Sequence, residues 1–170
     1  DKLIPLLKQN VSMQLEAGAE IVMIFDSAAN QLNEIDFEKY MRIVFKEIVS
    51  NFDKKVGYYA KDGVNYSSIE TIKTELSVPL AGLGIDSNES LIDFFNPSRK
   101  GFIQGNFDEK IMIQPPEIMK ENLDKFIEKI SSVSIEERVG WVCGLGHGVL
   151  KTTPEENVKF FVKKIRESFA

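Results

Sequence analysis

Hydrophobic and polar positions alternate between two periods along the chain. From Leu3 to Ala17 the apolar residues recur at helical spacing, and Gly18 closes the stretch. The apolar run Ile21-Val22-Met23-Ile24-Phe25 then predicts a strand over Glu20–Phe25. Phe37, Tyr40, Met41, Val44, Phe45, Ile48 and Val49 follow the i, i+3, i+4, i+7 rule and predict one buried helix face. Asp36 is the expected cap of that helix, because its carboxylate can accept a free N–H of the first turn. Val56–Ala60 predicts a second strand, and Ser67 with Glu70 makes a capping-box pattern before Ile69, Ile72 and Leu76. A third strand is expected over Val78–Ile85, with Ser87 capping a short helix that runs to Phe95.

The second half repeats the alternation. Gly101–Asn106 predicts the fourth strand, and Pro115-Pro116 pre-sets the start of a helix buried through Met119, Leu123, Phe126, Ile127 and Ile130. Val139–Gly144 predicts the fifth strand. Thr153-Pro154-Glu155-Glu156 supplies an N-cap, a proline and early acids for a last helix buried through Val158, Phe161, Val162 and Ile165. Several strands are apolar at consecutive positions, as in a parallel sheet covered on both faces. Strands alternating with helices leave an open doubly wound sheet or a closed barrel. An eight-unit barrel needs about 250 residues. In that case roughly three βα units precede this segment, and Asp1 in place of Met fits a chain that begins inside a longer product. No close repeat, low-complexity tract or linker interrupts the pattern, so residues 1–170 read as part of one domain.

Composition narrows the class of function. The 170 residues are 43% hydrophobic and 28% charged, enough for one packed core. The net charge of −5 is spread without a basic stripe, so neither a nucleic-acid footprint nor a polybasic membrane anchor is expected. No apolar run approaches the length of a membrane span, and the N-terminus lacks a signal-peptide pattern. The single cysteine, Cys143, fits a reducing compartment and is expected to be a small buried hydrophobe on a strand. A cytoplasmic location follows as the expectation.

Polar residues gather where strands end. The first delivers Asp26 and Ser27, the second Lys61 and Asp62, the third Asp86, the fourth Gln104, Asn106 and Asp108, and the fifth His147. In both candidate architectures this C-terminal strand edge is the ligand edge, and the opposite edge carries ordinary turns. His147 is the only histidine and is bracketed by glycines in Gly144-Leu145-Gly146-His147-Gly148, which let a ligand approach the backbone. An imidazole near neutral pH can donate to, or pair with, a carboxylate. Gly144-x-Gly146 and Gly82-x-Gly84 are fragments of a nucleotide fingerprint without its third glycine and helix in register, and GxxxxGK[ST] and GxSxG are both missing. Cys143 and His147 have no second Cys or His to complete a zinc site, and the acids show no ligand-like spacing.

Three segments together resemble the uroporphyrinogen decarboxylases. They are Ile24-Phe25-Asp26-Ser27-Ala28-Ala29, Gln104-Gly105-Asn106-Phe107-Asp108, and Leu145-Gly146-His147-Gly148 followed by Thr153-Pro154-Glu155-Glu156-Asn157-Val158. Gly57-Tyr58-Tyr59-Ala60-Lys61 and Gly82-Leu83-Gly84-Ile85-Asp86 look like the two intervening strands of that family. The resemblance covers essentially the whole chain. It implies a (β/α)8 TIM barrel of which this chain holds strands four to eight, and a homodimeric cytosolic enzyme of haem biosynthesis that needs neither metal nor organic cofactor. The implied reaction removes the four acetate carboxyls of uroporphyrinogen III, giving coproporphyrinogen III and CO₂. Ser27 and His147 match positions that contact the substrate, and Phe25 matches an aromatic on the floor of the cleft. The arginines and the pyrrole-binding aspartate of the family belong to its first strands, so the 170-residue segment alone is expected to be inactive.

Four positions depart from the family pattern. Ala28 stands where a larger group is usual, Asn30 where glycine is common, Ser87 where an aromatic or basic residue often follows the aspartate, and Glu109 where proline usually follows the QGN aspartate. Arg42, Arg138 and Arg166 are expected as solvated surface charges, and Arg99 points away from the ligand edge. Three other readings compete. A thiol methyltransferase of the same superfamily needs zinc on an HxC motif that this chain lacks. A noncatalytic tetrapyrrole-binding domain and a doubly wound nucleotide-binding oxidoreductase are the others.

Overall fold

A computed structural model describes residues 2–61 and 66–169. The chain divides into two compact units, one reaching to Gly84 with Lys100–Phe102 added, the other formed by Ile85–Arg99 and the chain from Ile103 onward.

In the first unit α1 spans Leu3–Glu16, β1 Val22–Asp26, α2 Glu34–Glu47, β2 Val56–Ala60, α3 Tyr66–Glu75 and β3 Gly82–Gly84. β1 and β2 pair in parallel from Val22↔Val56 to Asp26↔Ala60, and β2 pairs in parallel with β3 at Tyr58↔Leu83 and Tyr59↔Gly84. All five residues of β2 are buried, as the consecutive apolar pattern requires. β3 is shorter than expected because Pro79 has no N–H to give and Leu80 bonds back locally to Val78.

Two caps fall elsewhere than expected. α2 is capped by Asn33, whose Oδ1 accepts the Asp36 N–H at 2.9 Å, so Asp36 lies inside the first turn. Asn33 offers the same capping chemistry three residues earlier, and Glu34 and Asp36 then sit favourably at the positive end of the helix. Ser67 is the second residue of α3, too late to cap it, and Asp62 lies outside the described residues. The buried stripe of α2 is an i, i+4 ladder of Phe37, Met41 and Phe45, continued by Ile48 and Val49. Tyr40 lies one step round the helix and is 49% exposed, with the Lys39 Nζ 5.6 Å from its ring centroid.

β4 spans Phe102–Phe107, from its second residue onward in the second unit, which also holds α4 Pro116–Ser131, α5 Ile135–Arg138, β5 Trp141–Leu145 and α6 Glu155–Phe169. β4 and β5 are parallel from Ile103↔Trp141 to Phe107↔Leu145. Their core is Phe107, Met112, Met119, Leu123 and Phe161, flanked by Phe126, Ile127, Cys143, Leu145, Val158 and Ile165. Pro116 opens α4 as expected. Ser87 does not cap a helix: Leu91–Phe94 is a single 3₁₀ turn preceded by Ser90. α5, not anticipated, is closed by a capping box between Ser134 and Glu137. The first bonds of α6 run to the Pro154 carbonyl, and the Thr153 hydroxyl is buried without a partner, so Thr153 does not cap. Val162 is 40% exposed and lies outside the buried stripe.

Candidate functional site

The C-terminal strand edge of the first unit is organised by Asp26. One carboxylate oxygen accepts the Tyr58 hydroxyl from the neighbouring strand at 2.9 Å, and the other accepts the Ala28 N–H at 3.3 Å. The second bond closes an Asx turn, which leaves Ser27 exposed at its tip. Asp26 therefore holds the turn through both of its carboxylate oxygens. Burial, reinforced by the Asp26 charge, pushes the Tyr58 hydroxyl far above the usual phenol range, so it stays a neutral donor. Phe25 is 65% exposed, its ring centroid 5.7 Å from that of its register partner Tyr59. The Lys61 N–H donates to the Asp26 carbonyl at 3.1 Å and continues the parallel ladder.

The corresponding edge of the second unit is built around Gly146. Its N–H donates to the Phe107 carbonyl at 2.8 Å, and a Cβ there would lie 2.2 Å from the Ser87 nitrogen, so only glycine fits. His147 follows on the exposed side, with Nδ1 3.3 Å from the Gly148 carbonyl. Asp86, Asn106 and Asp108 shape the surrounding turns. The Asn106 amide donates to the carbonyls of Asp86 and Glu89, both at 2.8 Å. Asp86 Oδ1 accepts the Asn88 N–H at 2.7 Å, and Asp108 Oδ1 the Lys110 N–H at 2.8 Å. Gln104 lies beside Gly144, 3.8 Å from where a Cβ would stand.

Ser27 and Phe25 thus share one edge in the first unit, and His147 stands on an edge of the second. Two residues of these edges escaped the sequence reading. Tyr58 looked like core, although a buried tyrosine needs a hydroxyl partner and Asp26 is close by in register. Glu109 is buried, which no periodicity signalled because it lies in a turn.

The arginines mostly serve structure. Arg42 pairs with Glu75 at 2.7 Å on the surface. Arg99 donates to the carbonyls of Phe94 and Val139, and burial lowers its pKa. Arg138 is half-buried: its guanidinium lies 5.1 Å from the Phe169 ring centroid, with Nη1 buried and unpartnered. Cys143 sits on β5 as a packing residue, its thiol pushed up to about 12 by burial. The opposite strand edge of the first unit carries more than turns, since Lys54, Lys73 and Lys100 line a cavity of about 560 Å³ over Val78–Ala81. Among the described residues no three His, Cys, Asp or Glu side chains gather to hold a metal ion, and no helix is long and apolar enough to cross a membrane.

A profile of the uroporphyrinogen decarboxylase family matches residues 1–168. The chain belongs to the uroporphyrinogen decarboxylase family. It is 31% identical over 166 residues to the uroporphyrinogen decarboxylase of Rickettsia bellii, an alignment covering 91% of this chain and 44% of that protein. It is 30% identical over 170 residues to that of a Synechococcus species, covering 98% and 46%. It is 28% identical over 163 residues to that of Staphylococcus carnosus, covering 94% and 44%. The chain therefore spans less than half the length of these relatives.

Proposed function

We propose that the chain supplies strands four to eight of a (β/α)8 barrel that decarboxylates the four acetate side chains of uroporphyrinogen III to give coproporphyrinogen III. The observation that carries this reading is the family match over residues 1–168. Within each unit, strands consecutive in the chain are neighbours and parallel, with no reversal of strand order. That supports a barrel over a doubly wound sheet, whose ligand site needs a switch point.

Each decarboxylation protonates the ring carbon adjacent to the one bearing the acetate arm, breaks the bond between the arm's CH₂ and its carboxylate, and lets the conjugated ring cation take the electron pair. CO₂ leaves, the exocyclic CH₂ takes up a proton to become methyl, and the ring carbon releases the proton it had gained. The protein must stabilise positive charge on the ring while holding carboxylates around it, a task of preorganised electrostatics. The substrate carries eight carboxyl groups and this chain a net charge of −5, so local donors rather than long-range attraction bind the substrate. His147 donates to one substrate carboxylate, Ser27 positions another, and Phe25 offers an apolar floor. The cationic groups for the remaining carboxylates and the carboxylate facing the pyrrole N–H groups come from the first three βα units. The enzyme works as a cytoplasmic homodimer with no metal or organic cofactor.

The test is anaerobic turnover of uroporphyrinogen III by a barrel completed with those first units. Coproporphyrinogen III is expected, with four CO₂ released per substrate. His147→Ala should lower kcat/KM by about tenfold to a few hundredfold, the scale of one or two charged hydrogen bonds. Uroporphyrinogen bound without CO₂ release would make the protein a noncatalytic tetrapyrrole binder, and unchanged turnover by the variant would remove His147 from the site.

A further inference from the structure

Glu109 is 7% exposed, yet among the described residues it forms no ion pair. A carboxylate is seldom buried without a structural reason. The Ser87 hydroxyl lies 3.4 Å from Glu109 Oε2 and donates to it. Ser87 also forms the surface against which Gly146 packs, since a Cβ on Gly146 would stand 2.2 Å from the Ser87 nitrogen and 2.7 Å from its Cα. The turn carrying Ser87 is tied down on its other side by Asn106, through the Asp86 and Glu89 carbonyls. Glu109, Ser87 and Gly146 therefore form a contiguous stack, and the next residue after Gly146 is His147.

We propose that Ser87 and Glu109 act as one coupled unit that seats Gly146 and so positions His147. They are positioning residues, since neither need touch substrate. The carboxylate fixes the hydroxyl, the hydroxyl fixes the Ser87 backbone, and that backbone is the wall that Gly146 meets. The buried Glu109 is matched by the hydroxyl that Ser87 brings. The importance of His147 rests on the function proposed above. The coupling does not, and it can be tested without any substrate.

His147 is the only histidine of this sequence, so its two imidazole C–H resonances can be assigned by NMR. The Gly146 N–H, bonded to Phe107, reports how firmly the loop is seated. Ser87→Ala and Glu109→Ala should each speed exchange of the Gly146 amide by about tenfold, the scale of one hydrogen bond, and shift the His147 imidazole resonances. The double variant should exchange no faster than the more affected single one. Glu109→Gln keeps an acceptor oxygen for Ser87 and should stay within about twofold of the parent chain with an unshifted imidazole. An unchanged Gly146 amide in Ser87→Ala, single effects that multiply in the double variant, or Glu109→Gln behaving like Glu109→Ala would each overturn the coupling. If Glu109→Ala does not fold, Ser87→Ala and Glu109→Gln decide the matter. Absence of decarboxylation by the completed parent barrel, with Gly146 exchange in the variants changing as predicted, would count against the functional reading alone.

Discussion

Ser27 owes its place to Asp26 and Tyr58. The Tyr58 hydroxyl and the Ala28 N–H each bond one carboxylate oxygen, so Asp26 shapes the turn and Ser27 is left to face outward. Tyr58→Phe should destabilise the chain by about 1–2 kcal/mol, since it removes one charge-assisted hydrogen bond at a buried site; urea unfolding checks this. The buried phenol also sets the response to alkali. Its folded pKa lies above its unfolded value, so the folded state holds the proton more tightly. Stability is therefore full below pH about 10 and falls as pH rises further. Cys143, pushed up to about 12, has the same sign and begins to act slightly lower. Its thiol should react with a disulfide reagent at pH 8 far more slowly in the folded chain than in denaturant; equal rates would contradict its burial. The positions of Ser27 and His147 just past strand ends were legible in the sequence, whereas Phe25, in an apolar run that read as buried, is 65% exposed. The Tyr58–Asp26 bond was not, because it depends on the register of two strands.

Helices and strands were legible where periodicity was long and unbroken, as in α2, α4 and β2. Ends were less so, because several residues near each end offer the same chemistry: Asn33 caps in place of Asp36, and the Pro154 carbonyl takes the first α6 bonds while Thr153 does not. Val162 and Tyr40 show the related error of drawing a buried stripe too wide. Asn157 illustrates what periodicity cannot show. Its buried amide donates to the Met112 and Gln114 carbonyls at 2.9 and 3.0 Å, stapling the segment after β4 to the start of α6. Asn157→Ala leaves both carbonyls without that donor and should cost about 1–3 kcal/mol, read as a lower urea midpoint at unchanged slope. Gly82→Ala should be worse tolerated than alanine at an open glycine such as Gly148, because its Cβ would fall 2.5 Å from both the Phe102 ring and the Phe102 carbonyl oxygen.

At the scale of the whole molecule, the βα alternation made an α/β protein legible, and motif order made the family legible. Closure into a barrel could not be read from the polar–apolar pattern, because an open parallel sheet yields the same one. The cavity lined by Lys54, Lys73 and Lys100 was equally hidden, since those lysines are scattered in sequence and gather only where β2 and β3 begin. That cavity gives the functional account a real competitor, because a polycarboxylate could be drawn to lysines as well as to a histidine-bearing edge. The decisive measurement is an anaerobic NMR titration of the completed barrel with uroporphyrinogen III, following the His147 imidazole, the Ser27 amide and the Phe25 ring. The account predicts that all three signals move together with one saturation curve while the amides of Lys54 and Lys100 stay still. Shifts confined to the lysine-lined edge, or an unmoved His147 at saturating ligand, would contradict it.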